Sequence, residues 1–326
     1  MKLTSVCTVV LLATLTANAV AQESTRDDMK KLRGFLGTWE ATDVEVEGKK
    51  IDVLASWKPV LEGKFIEHRF MVIGDDAGLR GIVMFGRDPA DGKVHGWGFD
   101  NQGGYMAMEL TGWDGAKSNW STTFMAADGT TQKSDANRFE VIDKNSYGWM
   151  LAIAGGDTSE AVFNRVRPKK MQWPTSDDES GGEAAEQLRN ISWLAGNFEY
   201  NGTEGTTGKP SVGYATCGWV LDGKYLLYDS ASLDNELQLN RYRAIIGVDP
   251  ATGKTVGREF GSSGLVGKYN ISDDGQDLAG KAVSSDKGEF KYKGKLMKTD
   301  SGVKYSSTVV AGEEEITHTG VWKRLK

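Results

Sequence analysis

Polar and apolar residues alternate along much of this chain with a period of two. In Phe65-Ile66-Glu67-His68-Arg69-Phe70-Met71-Val72, one face carries Ile66, His68, Phe70 and Val72. The other carries Glu67 and Arg69 between Phe65 and Met71. Successive side chains of a strand point to opposite faces, so the pattern predicts strands with one apolar side. Tyr225-Leu226-Leu227-Tyr228 continues the theme further on. Asp-Gly pairs at 114–115, 128–129 and 274–275, and two Asp-Pro-Ala-X-Gly-Lys segments, interrupt the strands as turns; proline presets φ in the latter and glycine supplies a positive φ. Two stretches break the alternation, Asp27–Phe35 and Glu183–Trp193, and both predict short helices with acidic residues in the first turn.

The same unit is written twice. Val60-Leu61-Glu62-Gly63-Lys64-Phe65 returns as Val220-Leu221-Asp222-Gly223-Lys224-Tyr225, and Gly86-Arg87-Asp88-Pro89 returns as Gly247-Val248-Asp249-Pro250. Phe35-Leu36-Gly37-Thr38-Trp39-Glu40 matches Leu194-Ala195-Gly196-Asn197-Phe198-Glu199, and Phe163-Asn164-Arg165 matches Trp322-Lys323-Arg324. The matches keep their order and spacing, which predicts a duplicated domain. Each copy should hold about eight to ten antiparallel strands, enough to close a barrel or sandwich. The expected division is a leader over 1–21, a first unit over 22–167, an exposed acidic, Gly/Ser-rich linker over 168–182 and a second unit over 183–326.

The leader is expected from Lys2, the short apolar run Val9-Val10-Leu11-Leu12-Ala13-Thr14-Leu15 and the small residues Ala19-Val20-Ala21, the pattern of an export signal cleaved after Ala21. The apolar run is too short for a membrane anchor. The mature chain is thus expected in the periplasm or outside the cell, without a transmembrane anchor. Removal of the leader leaves one cysteine, Cys217, which reads as a small inert core residue. A formal charge of −6 argues against nucleic acid as a partner. The 41 glycines beside only six prolines favour many short strands over helices.

A helix, then Gly-X-Trp on the first strand, with Arg ending the last strand, resembles the lipocalin-like (calycin) barrels. The pieces here are Gly37, Trp39 and Arg165 in the first copy, and Gly196, Phe198 and Arg324 in the second. Leu-X-Gly-X-Trp, Val-Leu-X-Gly-Lys and Gly-X-Asp-Pro-X-X-Gly-Lys resemble more narrowly an uncharacterised bacterial family of exported lipocalin-like domains, the domain of unknown function 1579 type. The resemblance implies an all-β fold: two tandem antiparallel lipocalin-like β-barrels, each preceded by a short helix. It implies that the aromatic plugs the closed end of each barrel and the arginine packs across it. Phe198 departs from the pattern by replacing the tryptophan. The fold offers a cup for a small apolar molecule, with function implied by analogy alone.

In the first cup the expected lining is Trp57, His68, Phe70, Trp97 and Phe99; in the second it is Trp219, Tyr228 and Phe260. None of His68, His95 and His318 has a second His, Cys or carboxylate at metal-ligand spacing, so no metal site is expected. Nitrobindin, a haem-binding barrel, resembles the chain in Leu-X-Gly-X-Trp near its start and a ligating histidine near its end, which makes His318 an alternative haem ligand. The Gly-X-Trp and His318 fall in different copies, and Ser159 holds the equivalent place in the first. Nucleophile-elbow and phosphate-cradling signatures are absent, so no catalytic residue is expected and no cofactor beyond that haem alternative. The leading reading is a protein that binds a small apolar molecule. The alternatives are an envelope scaffold with filled barrels and a protein partner, a haem barrel, and an enzyme working at a barrel mouth.

Overall fold

A computed structural model describes residues 27–46, 48–74, 78–152, 158–166, 184–204, 209–233, 239–285 and 288–325. The expected leader and linker lie outside the described residues. Twenty strands form two closed antiparallel barrels of ten. The first comprises β1 (Gly37–Val46), β2 (Lys49–Val60), β3 (Phe65–Ile73), β4 (Arg80–Arg87), β5 (Val94–Asp100), β6 (Tyr105–Asp114), β7 (Lys117–Met125), β8 (Thr131–Val141), β9 (Ser146–Ala152) and β10 (Thr158–Arg165). The second comprises β11 (Gly196–Glu204), β12 (Lys209–Val220), β13 (Tyr225–Leu233), β14 (Leu239–Val248), β15 (Thr255–Gly261), β16 (Val266–Ile271), β17 (Asp277–Ser284), β18 (Gly288–Thr299), β19 (Gly302–Ala311) and β20 (Glu314–Arg324). Neighbours in sequence pair in space throughout, and β1 closes on β10 as β11 closes on β20. Closure leaves no sheet edge to be covered.

The first helical lead-in keeps its expected span, and the second is wound more tightly than the expected helix. Helix over 27–32 passes into a 3-10 turn at Arg33–Phe35, and the second lead-in is a 3-10 segment at Glu186–Leu194. Neither 3-10 segment has a side-chain cap at its start. Their work is to supply Leu32 and Phe35, or Leu188, Ile191 and Leu194, as buried plugs under the barrels.

The Gly-X-Trp/Arg signature has a direct steric explanation. The Arg165 guanidinium lies 4.1 Å from the Trp39 ring centre, and that of Arg324 lies 4.7 Å from the Phe198 ring. Arg165 also donates to the Leu36 carbonyl at 3.0 Å and the Lys144 carbonyl at 2.9 Å. A Cβ on Gly37 would come within 2.3 Å of Arg165 Nη1, and φ there is +143°. Only glycine leaves room for the cation to cross the closed end.

The repeated Val-Leu-X-Gly-Lys motif is explained by the join between the barrels. Leu61-Glu62-Gly63 and Leu221-Asp222-Gly223 each take three consecutive positive φ values. Non-glycine residues in that region cost on the order of 1 kcal/mol each. The turn turns Leu61 and Leu221 into a shared core with Phe65, Ile82, Met84, Trp97, Phe99, Tyr225, Ile245 and Phe260. Phe260 meets Phe65 at 5.4 Å and Trp97 at 5.3 Å, while Tyr225 meets Phe99 at 5.3 Å and donates to the Gly104 carbonyl at 2.8 Å. Beside this core, Arg243 of the second barrel bonds Glu67 of the first and Asp229 of its own, the latter at 2.6 and 2.9 Å. Burial alone would raise the Glu67 carboxyl, but Arg243 and Arg69 outweigh it and hold its pKa below the usual carboxylate range.

Candidate ligand-binding site

The strand register decides which side chains enter the first barrel. Trp57 pairs with His68, His68 with Val83 and Val83 with Gly98, so all four point inward at one level. Below that level buried aromatic rings pack together. Trp57 stacks on His68 at 4.1 Å and on Phe85 at 5.1 Å, with Phe35, Phe139 and Tyr147 around its edges. Above it lies a cavity of about 350 Å³. Val53, Phe70, Val72, Met106, Phe124 and Trp149 are among its apolar lining, and His68, Thr122 and Asn137 are among its polar lining.

Among the described residues, His68 Nε2 and Thr122 Oγ1 are buried and have no hydrogen-bond partner. A buried polar group without a partner is costly, and such groups in a cavity wall mark a place for a bound polar atom. Burial pushes the His68 imidazole down to about 3, and the adjacent Glu67 carboxylate offsets only part of that shift. The ring is therefore neutral at pH 7, able to donate or accept one hydrogen bond but not to bind an anion by charge. Asp100, also in the lining, accepts backbone hydrogen bonds from Gln102 and Gly104 at 2.9 Å, and desolvation nonetheless leaves its pKa raised.

The residues expected to line the cups fall in different places. His68 and Phe70 border the cavity. Trp57 lies beneath it, 1% exposed, as part of the floor. Trp97 and Phe260 are on the outer faces of their barrels, in the core between the two, because the inward positions of β5 are Gly96 and Gly98 and the inward position beside Phe260 is Glu259. Phe99 borders the cavity, while its ring packs on Tyr105 and Tyr225 in the inter-barrel core. Period two identifies the faces of β5 and β15, but both faces are buried, so aromatic content does not tell inside from outside.

In the second barrel Trp219 belongs to the buried core, and Tyr228 stacks on Trp322 at 5.2 Å. His318 pairs with Ser307 on the same inward register as Trp322, half-buried towards the other end of β20. Cys217 is buried and its thiol is pushed well up by desolvation. Among the described residues, one cluster escaped the spacing argument: Asp91, His95 and Glu109 bring ligand-type atoms within 4.8 Å of one another. Glu109 joins across the β5–β6 pairing, which linear spacing does not display. Asp91 is already 2.8 Å from His95, and Lys93 pairs with Glu109.

No family model matches the chain, and no curated protein matches it. Among solved structures, a protein of unknown function from the DUF3598 family of Nostoc punctiforme is similar at 10% identity and a TM-score of 0.21, over 91% of this chain and 98% of that one. Transferrin binding protein B of Haemophilus parasuis follows at 9% identity and 0.18, over 89% and 76% of the two chains. Kievitone hydratase of Nectria haematococca has 11% identity and 0.14, over 89% of each chain. At these values the tandem ten-stranded barrel architecture rests on the strand pairing itself and not on these likenesses.

Proposed function

We propose that the chain is an exported binding protein whose first barrel holds a small, uncharged, largely apolar molecule carrying one hydrogen-bonding group. The observation that supports this reading is the cavity of about 350 Å³, apolar around its walls, with His68 Nε2 and Thr122 Oγ1 buried and unpartnered at its side. A ligand's apolar body gains from leaving water at roughly 25 cal/mol per Å². Its polar group finds the partners that the protein leaves open. The neutral imidazole and the apolar walls disfavour charged ligands. The motif resemblance to exported lipocalin-like domains of the unknown-function 1579 type agrees with a periplasmic or extracellular carrier.

Titration of the whole chain with Nile red, an uncharged apolar fluorophore, tests this reading. Saturable binding at one site per chain is expected. Met106→Trp, which adds bulk to the cavity wall, should weaken it at least ten-fold. Binding unchanged by Met106→Trp, or the absence of saturable binding, overturns the proposal. Native mass spectrometry of protein taken from its own host then identifies the resident molecule.

A further inference from the structure

The second barrel carries a different interior at the level where the first has its histidine. Tyr228 pairs with Ala244, and Ala244 with Glu259, so Glu259 points inward at mid-height. Its carboxyl is buried, 4% exposed. The inward positions around it are Ala244, Gly267, Tyr269, Ala282 and Tyr292, none of them basic. A Cβ on Gly267 would come within 2.3 Å of Glu259 Oε1, so that glycine makes room for the acid. Tyr292 Oη, buried and without a hydrogen-bond partner of good geometry, lies near enough to act on the carboxyl. Tyr269 packs edge-on to Tyr292 at 6.1 Å.

We infer that the second barrel is a separate binding site for a small organic ammonium ion, with Glu259 as its counter-charge and the tyrosine rings as its walls. Among the described residues no cation acts on this carboxyl; burial removes the solvation that favours its charged form and raises Glu259 to about 8. A bound ammonium group restores the missing charge. Tyrosine faces attract cations, and that attraction strengthens when the site is dry. A metal ion is a poorer match, since rings surround Glu259 in place of further carboxylates or imidazoles. Tyr228, Tyr242 and Tyr305 are further inward, half-buried tyrosines of the same barrel. In the empty protein at pH 7 most of the carboxyl is protonated. Binding of R–NH3⁺ leaves the ammonium intact, forms the ammonium–carboxylate pair and sends the Glu259 proton to solvent.

The test is calorimetric titration of the whole chain with phenethylammonium and with 2-phenylethanol, its uncharged counterpart, at pH 7 in buffers of differing ionisation enthalpy. The expected result is a preference for the amine of at least ten-fold, with release of nearly one proton per amine bound. Glu259→Gln should abolish both the preference and the release, while leaving Nile red binding in the first barrel unchanged. Equal binding of amine and alcohol, binding without proton release, undiminished amine binding by Glu259→Gln, or no saturable amine binding each overturns the inference. The proton count is read on the wild-type chain, so it decides the matter even should the variant fail to fold. The Nile red readout separates failure here from failure of the first-barrel proposal.

Discussion

Acid should weaken the first barrel through one side chain. His68 borders the cavity, stacked on Trp57, and burial lowers its pKa from 6.5 to about 3. In the unfolded chain the imidazole takes up a proton as pH falls through 6.5, whereas in the folded chain it resists to about 3. Its contribution to stability is therefore complete above pH 6.5 and is lost progressively as pH falls towards 3. The full difference of about 3.5 pKa units corresponds to roughly 5 kcal/mol at 1.36 kcal/mol per unit. About 2 kcal/mol of this should be lost between pH 7 and pH 5. The charged group beside it, Glu67, is committed to Arg69 and Arg243 and relieves only part of the cost. Urea unfolding followed by tryptophan fluorescence reads the first barrel well, since that copy holds Trp39, Trp57, Trp97, Trp113, Trp120 and Trp149. His68→Gln cannot titrate, so the wild type should lose about 2 kcal/mol more than the variant between pH 7 and pH 5. Losses that agree within about 0.5 kcal/mol would refute the reasoning, because they would mean that the charged ring is solvated where it lies.

Two further expectations follow from the same geometry. Glu259, raised from 4.5 to about 8, should act in the opposite sense: its contribution is full below pH 4.5 and falls as pH rises towards 8, so between pH 5 and 7 the wild type should lose roughly 2–3 kcal/mol more than Glu259→Gln in the same unfolding assay. Arg243→Met removes the guanidinium between Glu67 and Asp229 and leaves Glu67 buried with Arg69 as its remaining ion-pair partner; a loss of about 3–5 kcal/mol is expected in urea unfolding, with the far-ultraviolet circular dichroism of the barrels retained.

Local rules carry the sequence a long way towards this fold. Turn residues and period-two alternation announce antiparallel strands, and the fourfold ordered repeat announces two units. Gly37, Trp39 and Arg165 announce a closed barrel end, and the close approach of Arg165 to Gly37 supplies the reason that these three residues travel together. The site is less legible because it depends on which face turns inward. On β3 the choice is visible, since Glu67 and Arg69 oppose His68 and Phe70. On β5 and β15 both faces are buried, one by the barrel and one by the partner barrel. Trp97 and Phe260 consequently look like pocket residues while they hold the barrels together. Glu259 looks like a surface charge because a linear pattern cannot show that Gly267 and Ala244 clear a space for it. Glu109 meets Asp91 and His95 only through strand pairing, and Glu67 finds Arg243 only through docking of the two copies.

The positions that correspond between the copies show what duplication permits. On the outer faces the aromatic character persists: Phe65 corresponds to Tyr225 and Phe99 to Phe260, and all four meet in the shared core. On the inner faces, at one level of the barrels, Trp57 corresponds to Cys217, His68 to Tyr228 and Gly98 to Glu259. The physical constraint differs between the faces. Leu61, Phe65, Ile82, Met84 and Trp97 would form an exposed apolar patch on a solitary first barrel, and the second barrel's matching face covers it. A change there must suit two surfaces at once, each packed as tightly as a protein interior. A change inside one barrel has only that barrel's cavity to satisfy. Each cup is thus free to alter its chemistry while the other and the join stay fixed, which is how one chain comes to hold a neutral histidine in one barrel and a buried acid among tyrosines in the other.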